Sequence, residues 1–189
     1  MARINSFDKR LAGAYYRQDA HWKYALMLDP SQRGDSYEQL DERAAWFYEA
    51  IGCSPAMVTK TPGVGLIYLG SYRDKTGAPL DGGQTFRLCV PPNPPMKQFW
   101  GVTIYQTETR TLIQNGEKRA EISSQTPGLK TNADGSVDVY VGPVAPKGFE
   151  SNWVKSVPGK AWFAYFRLYA PTEACFDQSW PLPDFERVK

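Results

Sequence analysis

Apolar side chains recur at helical spacing in the first third of the chain and at every second position in much of the remainder. In "INSFDKRLAGAYYR" the residues Ile4, Phe7, Leu11, Ala14 and Tyr15 fall on one side of a helix. "DSYEQLDERAAWFYEAIG" predicts a second helix. Ser36 with Gln39 makes a capping-box pattern, Leu40, Ala44, Phe47, Tyr48 and Ile51 form one stripe, and Gly52 stops it. "CSPAMVTK" offers a further short turn, with Ser54 as cap and Pro55 at the first helical position.

After Thr61 short β-rich runs alternate with turn signals: "GLIYLGSYR", "QTFRLCV", "QFWGVTIYQ", "GSVDVYVG" and "KAWFAYFRLY". Turns are expected at "RDKTGAPLDGG" and "NADGS". The prolines of "VPPNPPMK" cannot donate ladder hydrogen bonds, so this run reads as an extended link outside a central strand. The pattern predicts an α+β fold: a short N-terminal helical segment, residues 1–60, packed on a jelly-roll-like antiparallel β-sandwich, residues 61–189, with an irregular C-terminal tail. Phe176, Trp180, Leu182 and Phe185 of that Pro-broken tail must lie on an apolar surface: the chain's own helices, a second subunit or another domain.

Each of four strands carries one greasy row and one polar or aromatic row. Phe86, Leu88 and Val90 oppose Thr85, Arg87 and Cys89. Trp100, Val102 and Ile104 oppose Thr103, Tyr105 and Thr107, and Val137, Val139 and Val141 oppose Asp138 and Tyr140. In "GKAWFAYFRLYAP" the row Trp162, Ala164, Phe166, Leu168 opposes Phe163, Tyr165, Arg167, Tyr169, with a guanidinium between two phenols. If these strands share a sheet, their second rows could line a cleft; the alternative is architectural, an outward arginine lying over aromatic neighbours or pairing with a carboxylate across the sheet. Tyrosine rings stack on sugar C–H surfaces and an arginine binds a carboxylate bidentately. The loop "GFESNWVKSVPG" adds Trp153, placed either to cap such a pocket or to plug the end of the sandwich.

Composition narrows the function classes. The 22 basic and 20 acidic residues nearly cancel and form no basic run, so no nucleic-acid footprint is present. No stretch approaches the roughly 18 apolar residues of a membrane span, and the N-terminus lacks the apolar core of an export signal. As written the chain reads as soluble and cytoplasmic, or periplasmic if it is a piece of an exported protein. Cys53, Cys89 and Cys175 are widely spaced and odd in number, which fits buried reduced thiols.

Catalytic and metal motifs fail on context. His21 is the single histidine, in the loop-like "QDAHWKY", so a two-histidine metal site cannot form; with no GxSxG elbow in the sequence, His21 reads as a surface or packing residue, a catalytic role being the lesser alternative, and no metal or cofactor is expected. Ser6-Phe-Asp-Lys9 and Lys75-Thr-Gly77 imitate a penicillin-binding site, but the second lies among turn formers and no SDN occurs. "PGVG" lacks a preceding strand, and "NADGSVD" lacks the alternating ligands of a calcium loop.

Long ordered segments carry a resemblance. "PGLKTNADGSVDVYVGPVAPKGFESNWVKSVPGKAWFAYFRLYAPTEACFDQSWPLPDFERV", with "LDGGQTFRLCVPPNPPMKQFWGVTIY" and "SPAMVTKTPGVG", resembles the DUF1214 family. The resemblance implies a helical segment followed by a jelly-roll-like β domain, and a DUF1254 domain ahead of it, often behind an export signal. It implies no activity, because the family has no agreed one.

The expected function is therefore binding of a small molecule or saccharide, including a uronate, through Arg167, Tyr165, Tyr169, Tyr105, Arg87 and Trp153. Two alternatives stand beside it. One is a carbohydrate-active lyase or hydrolase in which Arg167 neutralises a developing dianion while Tyr165 or Tyr169 moves a proton. The other is an oligomerisation domain that pairs with itself or with a DUF1254 domain. Catalytic residues are not assigned.

Overall fold

The computed structural model describes residues 14–25, 33–38 and 61–188, together with Leu40, Ala44 and Phe47. Among these, nine strands form two packed sheets with very little helix. They are β1 (Lys23–Tyr24), β2 (Leu66–Ser71), β3 (Thr85–Val90), β4 (Trp100–Gln106), β5 (Glu121–Ser123), β6 (Val137–Gly142), β7 (Trp153–Lys155), β8 (Trp162–Tyr169) and β9 (Glu186–Val188). One sheet has the order β1-β2-β8-β4-β5 and the other β7-β6-β3-β9. A single α-helical turn, α1 (Glu173–Phe176), follows β8.

The greasy rows point inward. Phe86, Leu88 and Val90, Trp100, Val102 and Ile104, Val137, Val139 and Val141, and Trp162, Ala164, Phe166 and Leu168 all join one buried core between the sheets. Central β8 pairs antiparallel with β2 and β4 along its length, which sets Tyr68 opposite Arg167, Thr103 opposite Tyr165 and Tyr105 opposite Phe163. The sandwich is not wholly antiparallel as expected. Residues 143–152 carry the chain across, so β7 joins β6 in parallel, Tyr140 beside Trp153.

Turn chemistry follows the residues. Asp74 Oδ1 accepts hydrogen bonds from the Thr76 N–H, the Thr76 hydroxyl and the Ala78 N–H, and Gly77 supplies φ 81°. Asp134 accepts from the Ser136 N–H and hydroxyl, with Gly135 at φ 85°. Both segments that imitated functional motifs are turns.

The N-terminal expectation needs correction. Residues 4–13 of the first expected helix lie outside the described residues, and its end is not helical. Tyr15 bridges Lys23, the Tyr16 N–H donates to the Trp22 carbonyl and the Tyr24 N–H donates to the Ala14 carbonyl, so this arm folds back and adds β1 to the sheet edge. Its apolar spacing serves the sandwich, because Tyr16 and Trp22 are fully buried in the β core. Leu40, Ala44 and Phe47 are helical, as their spacing predicts, but exposed; helical period reports conformation and not which neighbour covers a face. The rest of that segment, with the short turn near Pro55 and Cys53, lies outside the described residues.

The tail lies on the chain's own core. Trp180, Leu182 and Phe185 are buried among Trp22, Trp162 and Phe166, with Phe185 centred 5.1 Å from Trp162 and 5.7 Å from Trp22. Among the described residues no helix is long and apolar enough to cross a membrane.

Candidate functional site

The polar rows do not form one cleft. β4 and β8 belong to the five-stranded sheet and β3 and β6 to the other, so with their greasy rows meeting in the core the second rows look away from each other. Arg87 and Trp153 therefore stand on a different face from Arg167, Tyr165, Tyr169 and Tyr105. Alternation within a strand shows two faces but not which sheet a strand enters.

On the five-stranded sheet the outward face is a lattice of rings. Tyr72 stacks on Phe163 with centroids 4.8 Å apart, and Phe163 stacks on Tyr105 at 5.2 Å. Tyr165 meets Tyr105 edge-on at 5.3 Å and Tyr68 at 6.2 Å. Two glycines make room. A Cβ on Gly70 would lie 3.1 Å from the Tyr165 ring, and one on Gly101, whose register partner is Arg167, would lie 3.3 Å from the Glu121 carboxyl carbon.

Arg167 sits over this lattice with its side chain 20% exposed. Its Nη2 donates to the Tyr105 hydroxyl, its Nη1 lies 3.7 Å from Glu121 Oε2, and its Cζ lies 5.6 Å from the Tyr68 ring centre. Glu121 in turn accepts from the Thr103 hydroxyl. Among the described residues the Arg167 Nε–H is buried without a partner. Burial works against the guanidinium charge, but Tyr105, a hydrogen bond with Tyr169 and the Glu121 carboxylate outweigh it and hold Arg167 above its ordinary range. Burial also raises Tyr105 and Tyr68, although Arg167 opposes it in both. These two phenols stay protonated near neutral pH and are poor bases.

The opposite face is ionic. Arg87 pairs with Glu186 across β3 and β9, and its Nη1 lies 3.9 Å from Asp138 Oδ2. Asn132 Nδ2 donates to the same oxygen at 3.3 Å, while Asp138 Oδ1 is buried without a partner among the described residues. Cys89 beside them is raised, first by burial, so its thiol stays neutral. Trp153 begins β7 rather than lying in a loop, and its Nε1–H donates to the Gly142 carbonyl at 2.9 Å. Asn152, which the sequence did not single out for a role, is fully buried: it accepts from the Lys130 N–H and donates to the Lys130 and Asp138 carbonyls.

His21 has a partner that its own neighbourhood could not reveal. Asp184, 163 residues away, accepts its backbone N–H and faces its Nδ1, both at 2.7 Å. Among the described residues no group of three or more histidine, cysteine, aspartate or glutamate side chains could hold a metal ion.

Two solved structures share this architecture. A crystal structure of the VPA0106 protein from Vibrio parahaemolyticus matches with a TM-score of 0.63 at 23% identity, covering 88% of this chain and 39% of that one. A putative uncharacterized protein from Burkholderia cenocepacia matches with a TM-score of 0.51 at 17% identity, covering 77% of this chain and 33% of that one. The chain thus spans well under half the length of either, and the likeness is one of fold. No curated protein matches the sequence. The family model for a protein of unknown function, DUF1214, matches residues 65–173, and the chain belongs to that family.

Proposed function

We propose that the outer face of the five-stranded sheet binds a small sugar-like molecule, a uronate among the candidates, on Arg167, Tyr105, Tyr165, Tyr169 and Glu121. The scaffold on this reading is a jelly-roll-like sandwich, as the family resemblance implies. The observation that carries it is the Nε–H of Arg167, a buried donor without a partner among the described residues, on a face where Tyr68, Tyr105 and Tyr169 are half-buried and Tyr165 is buried. A uronate carboxylate would take that donor and Nη1, replacing the long contact to Glu121. Glu121 and the hydroxyls of Tyr105 and Tyr169 would then accept or donate to ring hydroxyls, and the part-exposed rings of these two tyrosines would cover C–H surface, with buried Tyr165 supporting them from beneath. Arg87 and Trp153 drop out of this site because they stand on the other sheet. Binding is favoured over a lyase reaction in which Tyr105 or Tyr68 takes the proton, because burial raises both phenols, opposite to what a proton-abstracting group requires.

The test is thermal unfolding with glucuronate, galacturonate and neutral oligosaccharides. Ligand at about 100 times its Kd stabilises the native state by about 2.7 kcal/mol, a readily measured rise in Tm. Arg167→Met should abolish the uronate response while the protein remains folded. No response across the panel, or an equal response in Arg167→Met, refutes the proposal.

A further inference from the structure

A separate cavity of about 250 Å³ opens where the N-terminal arm and the C-terminal tail meet the ionic sheet face. Arg17 and Asp19 of the arm, Lys75 of the Asp74 turn, Arg87 of β3, and Asp184 and Glu186 of the tail and β9 contribute its charged groups. Its floor is apolar, from Ala20 and the Pro-Leu-Pro run.

The three carboxylates of this wall are already engaged. Asp19 takes a two-pronged contact from Arg17, with 2.9 Å on each prong, Glu186 pairs with Arg87, and Asp184 accepts the backbone N–H and ring of His21. Two of the three cations are engaged with them, and Arg17 Nη1 is further tied to the Gln178 carbonyl at 2.6 Å. Lys75 differs. Its backbone N–H is held by the Phe185 carbonyl at 2.8 Å, which fixes where the side chain starts, but its ammonium has no hydrogen bond or ion pair among the described residues. Among the described residues the cavity thus combines an apolar floor with one uncommitted positive charge. We propose that it binds a small amphipathic carboxylate, its anion on Lys75 and its hydrocarbon part on Ala20, Leu182 and the flanking prolines.

Cys89 supports this assignment by contributing a neutral thiol to the wall, since burial raises it. Asp184 also lines the cavity, and its carboxylate is engaged by the His21 N–H and ring.

The experiment is a two-dimensional amide NMR titration of the full chain with benzoate and hexanoate, with benzamide as the neutral control. Saturable shifts at Ala20, Lys75, Cys89 and Leu182, with benzamide at least about tenfold weaker, are expected. Lys75 is exposed on a turn, so Lys75→Met should fold normally and weaken the carboxylates about tenfold or more, while Lys75→Arg keeps binding. Three results overturn the proposal: no saturation below about 10 mM, equal binding of benzamide, or unchanged binding in Lys75→Met. Arg167→Met should leave this titration unaltered, so failure here is distinguishable from failure of the sheet-face site.

Discussion

Removing the Asp184 carboxylate should loosen the join between the two ends of the described fold. The carboxylate accepts from the His21 N–H and faces His21 Nδ1, both at 2.7 Å, and its side chain is 5% exposed. A carboxylate only accepts, so Nδ1 carries the hydrogen. Each hydrogen bond to a charged acceptor contributes about 1.5–3 kcal/mol. Against this stand the desolvation relieved when a buried charge is deleted and the water that reaches the His21 side chain, which is 34% exposed. The net for Asp184→Ala is a loss of about 2–3 kcal/mol. Urea unfolding should show it as a lower midpoint with an unchanged slope. A double-mutant cycle with His21→Ala should give a coupling of about 1 kcal/mol, because only the ring contact is shared and the backbone N–H remains. A loss below about 0.5 kcal/mol, within the range of an ordinary surface substitution, would refute this account.

Two further predictions concern the same core. Burial, with Asp177 adding to it, pushes the Cys175 thiol up to about 12, and burial likewise raises Tyr16, whose hydroxyl donates to the Trp180 carbonyl at 3.1 Å. Both groups are neutral when folded, so the stability they contribute is complete below their ordinary range and is lost as pH climbs through it, by about 1.4 kcal/mol per unit for each group. Chemical unfolding from pH 8 to 11 should fall more steeply for the parent than for Cys175→Ala; parallel curves would contradict the assignment. Gly82→Ala should cost more than about 2 kcal/mol, because a Cβ there would lie 2.2 Å from the Val157 carbonyl oxygen and 2.7 Å from that of Lys160, both backbone atoms. Gly83→Ala, where the nearest atom is an Asp81 carboxylate oxygen at 3.5 Å, is the control and should change the thermal midpoint little.

The strands were legible because their information is local. A period of two separates Phe86, Leu88 and Val90 from Arg87 and Cys89 whatever the strand pairs with, and the Asp-Gly and Lys-Thr-Gly turns close within a few residues. Pairing partners are not local. Nothing near Trp153 shows that it starts a parallel strand beside Tyr140, and the three-residue β5 and β9 are too short to display a period. The N-terminal arm misled for a related reason: Ala14 and Tyr15 fit a helical stripe, while the partners that hold this arm extended, Trp22 and Tyr24, lie just beyond it.

The candidate sites divide along the same line. Arg167 could be picked out because a guanidinium between two phenols on an alternating strand is a local anomaly, and Tyr105 joined it through the register of adjacent strands. Arg87 showed the same local pattern but sits in the other sheet, where Glu186, brought alongside by β9, engages its charge. What separates the two arginines is whether the fold brings a carboxylate into hydrogen-bond reach. Glu121 stops 3.7 Å from Arg167 Nη1 and is itself held by Thr103, while Nε has no acceptor among the described residues. A single substitution on each face can test the distinction. Glu186→Gln should weaken the pairing of β3 with β9, whereas Glu121→Gln should leave the sheet intact and alter how an anion competes for Arg167.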